Sequence, residues 1–252
     1  MPKFTNSSPE EMDVHNIGGS TFQFSAAKIS TLGASEYTLA TIVVDGSGSV
    51  DPFWKEIKGA LKANVLACAD PKNPRADNLM LRVLVFDHRL TEIHGFRPVR
   101  DINPNDYDGI QIPGNTTALY DATFNGVQAT IQFAKDLMAQ QYTCNGAIFV
   151  ITDGADNASK VTRKMVADAL TEAKTGESME SLMPVLIGVN TQQGGLNQYL
   201  DLFTKEAGFQ QFVALEDVSK EKLMKLGGFI SQSISSQSKS LGTGGASKSL
   251  SF

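Results

Sequence analysis

The sequence predicts an α/β domain with a doubly wound, mostly parallel central sheet flanked by helices. Two observations predict it. Short β-branched runs alternate with amphipathic helical segments along most of the 252 residues. The runs are also continuously apolar rather than alternating, as strands are when helices cover both faces of a sheet. A hydrophobic fraction of 41% and a charged fraction of 19% suit a globular chain. The length accommodates one large domain.

In chain order, residues 1–20 read as a loosely ordered, polar and acidic arm, followed by an alternating segment, 21–25 (TFQFS), expected to add an edge strand. Residues 37–45 (YTLATIVVD) have the pattern of a central strand. Pro52 then suits a first helical turn, and Phe53, Ile57, Leu61 and Val65 recur at helical spacing. A second strand covers 78–86 (NLMLRVLVF), and a third, at 89–96, follows a tight connection. Residues 101–115 form a loop rich in Pro, Asn, Asp and Gly. A helix from 119 to about 139 carries Phe124, Val127, Ile131, Phe133 and Leu137 on its apolar stripe. Strand 147–152 (AIFVIT), helix 162–174, strand 183–189, helix 195–207, strand 211–214 and helix 218–235 complete the domain. It therefore spans 21–235, and 236–252 is a flexible Ser/Gly-rich tail.

Composition narrows the function. A net charge of −5 supplies no basic field for phosphates, which argues against nucleic acid as a partner. No stretch approaches the roughly 18 apolar residues of a membrane span, and the N-terminus carries no apolar signal-peptide core. The two cysteines, Cys68 and Cys144, sit in apolar contexts and are expected as free thiols of a reducing, cytoplasmic compartment. His15, His88 and His94 show no zinc-ligand spacing.

In a doubly wound sheet, ligands sit outside the carboxyl ends of the strands. There the first long strand runs into Asp45-Gly46-Ser47-Gly48-Ser49, and strand 147–152 runs into Asp153-Gly154. Glycine permits a sharp turn after each Asp. Carboxylates and hydroxyls are hard oxygen donors that suit Mg²⁺, Mn²⁺ or Ca²⁺ over Zn²⁺. The competing reading makes Asp45, Ser47, Ser49 and Thr117 ordinary helix caps, and Asp153 a turn residue.

The order DxSxS, loop Thr, strand-ending TDG resembles the metal-ion-dependent adhesion site of von Willebrand factor A (vWA) domains, here of an intracellular type. Asp45, Ser47 and Ser49 match the first element, Asp153 the last, and residues 114–122 (GNTTALYDA) resemble the family's loop and helix start. Counting back from Leu119-Tyr120 puts the family's Thr at Thr117, with Thr116 as the alternative. The resemblance implies that Ser47, Ser49 and Thr117 bind a divalent cation, Mg²⁺ foremost, while Asp45 and Asp153 act through water. It further implies a protein partner that completes the coordination with an acidic side chain. Family members of this type work beside AAA-type ATPases or in multiprotein complexes. Asp156 and Asn157 read as solvated loop, Asp87 as a plain turn residue, and Asp121 as a charge offsetting a helix dipole.

A metal-dependent hydrolase or phosphatase on an α/β scaffold is the alternative. Ser47 stands where a haloacid-dehalogenase type needs its second Asp. The nucleophile elbow, Rossmann and Walker patterns also fail. The expectation is therefore a binding module and not an enzyme.

Overall fold

The computed structural model describes residues 12–18, 22–111, 114, 116–192, 194–216, 219–243 and 250–252. Eight strands form one mixed, mostly parallel sheet: β1 (Met12–Asn16), β2 (Gln23–Ala27), β3 (Glu36–Asp45), β4 (Leu79–Phe86), β5 (Leu90–Pro98), β6 (Thr143–Thr152), β7 (Leu182–Val189) and β8 (Gln211–Leu215). Their spatial order is β1-β2-β5-β4-β3-β6-β7-β8. The five strands from β4 to β8 across β3 run parallel, β5 turns back against β4, and β1 and β2 form an antiparallel hairpin beside β5.

Among the described residues five α-helices cover the sheet: α1 (Trp54–Cys68), α2 (Leu119–Ala139), α3 (Arg163–Thr175), α4 (Leu196–Ala207) and α5 (Lys220–Ser240). The period-2 alternation of strand side chains builds two separate cores. On β3, Leu39 and Val43 join the core under α2, α3 and α4. Ala40, Ile42 and Val44 join the opposite core, beneath α1 and α5. Because both faces are buried, β3 and its neighbours read as continuously apolar. Cys68 and Cys144 are free and buried, one in each core. Among the described residues no helix is long and apolar enough to cross a membrane.

Both ends of the domain differ from the sequence reading. Residues 12–16, assigned to the arm, form β1 and take the sheet edge, so the strand expected at 21–25 lies inside it, shifted to Gln23–Ala27. MDVHN is too short and polar to read as a strand. Tertiary contacts hold it: His15 stacks on Phe24 at 4.9 Å and meets Asp136 at 3.0 Å. At the other end α5 continues five residues past 235, to Ser240, into the stretch read as tail. Gln237 and Ser238 are fully buried there, and Gln237 Nε2 donates to Gly146 O at 3.0 Å and Ser181 Oγ at 3.0 Å. A polar SSQSKS run can be helical interior when buried carbonyls await its amides. The arm before Met12 and residues 244–249 lie outside the described residues.

Candidate metal centre

Register brings the candidate residues together. Val44 on β3 lies opposite Ile151 on β6, so Asp45 and Thr152 leave the sheet side by side. Thr152 Oγ1 donates to Asp45 Oδ2 at 2.6 Å, and the Ser47 backbone N–H donates to Asp45 Oδ1 at 2.9 Å. The chain then curls through a short 3₁₀ helix, Gly48–Phe53, which aims both serine hydroxyls at one point. Ser47 Oγ and Ser49 Oγ lie 2.9 Å apart, and Ser49 Oγ donates to Asp153 Oδ1 at 2.8 Å. Ser47, Ser49, Thr117 and Gly154 share the wall of an open hollow of about 490 Å³, with Asp45 almost fully buried behind it.

Of the capping reading, the geometry keeps only Asp45, which accepts from the Ser47 backbone N–H ahead of the 3₁₀ helix. Ser47 precedes the 3₁₀ helix without a side-chain cap bond, and Ala118, not Thr117, precedes α2. Thr117 is buried beside the hollow, whereas Thr116 is half-buried and not part of its wall. Gly154 packs closely on the site: a Cβ there would stand 3.2 Å from Thr117 Oγ1, a tight contact, and 3.8 Å from Asp45 Oδ2. Asn115, from the matched loop, lies outside the described residues.

Burial raises the pKa of Asp45, against the lowering effect of its hydrogen bonds with Thr152 and Ser47. Burial and the neighbouring Asp45 charge push Asp153 up to about 6. Neither carboxylate has a cationic side-chain partner among the described residues. Two such carboxylates ringed by three hydroxyls form a donor set that a hard divalent cation fits. Among the described residues no three His, Cys, Asp or Glu cluster so as to hold a metal ion by themselves, so a cation here would depend on the hydroxyl oxygens.

No family model and no curated protein sequence matches this chain. Solved structures do. The PilB minor pilin of Streptococcus sanguinis superposes with a TM-score of 0.55 at 14% identity, over 80% of this chain and 62% of that one. Proximal thread matrix protein 1 of the mussel byssus gives a TM-score of 0.55 at 18% identity, over 81% of this chain and 47% of that one. A further structure of that byssal protein, with a zinc-occupied metal-ion-dependent adhesion site, gives 0.52 at 18% identity over 80% and 46%. BatB of Bacteroides thetaiotaomicron gives 0.50 at 15% identity, over 77% of this chain and 98% of that one. The fold is vWA-like. The chain spans less than two thirds of the pilin and about half of the byssal protein.

Around the site of this vWA-like fold stand residues that sequence reasoning set aside. Asn157 is no idle loop residue: its Oδ1 accepts from Thr117 N at 2.8 Å, and its own N–H donates to Thr117 O at 3.0 Å. Asp156 Oδ1 accepts from Tyr120 N at 3.2 Å, and Ser159 Oγ from Asp121 N at 3.0 Å, so loop 156–159 caps α2 from outside. Asp121 Oδ1 answers by accepting from Lys160 N and Val161 N at 3.0 and 2.7 Å. Asp87 is fully buried; its carbonyl accepts from Ala118 N at 2.7 Å and its Oδ1 from Arg89 N at 2.6 Å. The available signal was TDGADN itself, since Asp and Asn after a strand end are side chains that bind backbone amides.

Proposed function

We propose that this chain is a divalent-cation-dependent protein-binding module. One observation carries the reading: Ser47, Ser49 and Thr117 share the wall of one open hollow, with Asp153 bonded to Ser49 Oγ and Asp45 buried behind, so that three separate segments meet there. Ser47, Ser49 and Thr117 would hold the ion through their hydroxyls. Asp45 orients Ser47 through its backbone N–H and Asp153 orients Ser49 through its hydroxyl, the kind of outer support that tunes a ligand set. When bound, the ion supplies an open coordination position that attracts a carboxylate. Asp45 and Asp153 stand behind hydroxyls, and the third carboxylate at the hollow, Asp156, already accepts from Tyr120 N and Ser159 Oγ, so little of the ion's charge is neutralised and an Asp or Glu of a protein partner completes the set. An AAA-type ATPase or a multiprotein complex is the expected setting, and Mg²⁺ the expected ion. The byssal protein's zinc makes Zn²⁺ a necessary comparison.

Calorimetric titration of Mg²⁺, Mn²⁺, Ca²⁺ and Zn²⁺ into metal-stripped protein tests this, alongside Asp45→Ala and Ser47→Ala. Saturable 1:1 binding that both variants lose is expected. No binding of any ion, or binding that survives both substitutions, overturns it. A phosphoester turnover assay with the loaded protein is expected to read as blank; turnover abolished by Ser47→Ala would favour the hydrolase alternative.

A further inference from the structure

A second hollow, of about 460 Å³, opens beside α2, between the β4–β5 turn and the loop entering α3. Its volume lies in the range of small-molecule sites. Phe22, Leu84, Leu90, Val161 and Met165 give it an apolar body. Its polar end is unusual. Arg82 sits in the middle of β4, on the face where Met80, Leu84 and Phe86 enter the core, and is 1% exposed. Its Nε donates to Glu92 Oε2 at 2.6 Å and its Nη2 to Asn125 Oδ1 at 2.8 Å, but Nη1 has no partner among the described residues. Buried N–H donors are almost always satisfied, and a charged one left without an acceptor is costly.

The neighbouring acids do not supply that acceptor. Glu92 Oε1 is taken by Ser25 N and Ser25 Oγ at 2.9 and 2.6 Å, and its Oε2 by Arg82 itself. Asp121 Oδ1 is held by two backbone N–H groups in the first turn of α2, where the helix dipole offsets its charge. Lys160, exposed in the wall, has no carboxylate within ion-pair reach among the described residues. The wall thus combines an apolar body with a buried guanidinium whose Nη1 lacks an acceptor, and its cations Arg82, Arg89 and Lys160 outnumber its carboxylates Glu92 and Asp121.

We propose that this hollow binds a small amphipathic acid, its hydrocarbon body against Leu84, Leu90 and Met165 and its carboxylate at the Arg82–Lys160 end. Guanidinium and ammonium donors are matched to a carboxylate acceptor, and the apolar walls reward a hydrocarbon chain. The site needs no divalent cation, so it stands or falls separately from the metal centre.

Octanoate, octan-1-ol and octylammonium titrated into the full chain in EDTA test the proposal, with amide chemical-shift mapping to locate each ligand. Saturable 1:1 octanoate binding is expected, with shifts at Leu84, Leu90 and Val161 and none at Ser47 or Ser49. The alcohol and the ammonium should bind at least tenfold more weakly. Lys160→Glu, at an exposed position that leaves the fold intact, should weaken octanoate at least fivefold with an unchanged melting temperature. Absence of saturable octanoate binding, equal binding of the alcohol or the ammonium, shifts elsewhere, or indifference to Lys160→Glu each overturns it.

Discussion

Ser49 Oγ donates to Asp153 Oδ1 at 2.8 Å across 104 positions of chain, joining the end of β3 to the end of β6. The bond places a hydroxyl and a carboxylate on one point of the sheet edge. Ser49→Ala and Asp153→Asn are each expected to weaken divalent-ion affinity about 10- to 100-fold. Their melting temperatures without metal should stay close to wild type, since Ser49 is exposed and the folded chain already disfavours the charge on Asp153. Calorimetry and thermal melts read the two effects separately.

Asn157 returns both of its hydrogen bonds to the backbone of Thr117. Asn157→Ala leaves the Thr117 N–H without its acceptor and loosens the hydroxyl carried by that residue. Ion affinity should fall several-fold, with a stability loss of about 1 kcal/mol. Unchanged affinity would show that Thr117 is held by α2 alone.

Burial holds His94 neutral, with its pKa down to about 4. Its neutral form suits both neighbours: with Nδ1 protonated, the ring donates to Gly95 O at 3.0 Å and accepts from the Tyr107 hydroxyl at 2.8 Å. Since the unfolded chain protonates this ring near pH 6.5, the stability it contributes is complete above that pH. It is lost as the pH falls through 6.5 toward 4. Denaturant melts between pH 7 and 4.5 should show wild type losing up to about 1.4 kcal/mol more per pH unit than His94→Asn.

Arg82 and Glu92 form a buried ion pair at 2.6 Å. Arg82→Met strands a carboxylate in the core and should cost about 3–5 kcal/mol, a drop of roughly 6–20 °C in melting temperature. Pairing it with Glu92→Met removes the stranded charge and should recover much of the loss. A double variant no better than the single one would show that the partners Ser25 and Asn125 carry the network.

Gln237 ties the last turns of α5 to β6 and to Ser181. A chain ending at Ser235 loses those bonds together with the buried Leu241. It should unfold at least about 2 kcal/mol more easily in denaturant. A melting point equal to the full chain would return residues 236–243 to the role of tail.

The apolar strands, the order of helices and strands, and the three segments that meet at the candidate site were legible because periodicity and turn chemistry are local properties of the sequence. Leu119–Ala139 is the plainest case, a stripe read at both ends as the structure has it. Strand β1, the end of α5, Arg82 and the loop 156–159 were not legible. Each depends on a partner far along the chain: Phe24 and Asp136 for His15, Gly146 for Gln237, Glu92 and Asn125 for Arg82, α2 for Asp156 and Asn157. The sequence by itself determined which residues could be strands and helices and which oxygen donors lie at strand ends. Only the tertiary structure decided which polar side chains are spent on backbone amides and which stay free to meet a ligand, because buried polar groups are satisfied by whatever packing brings within about 3 Å.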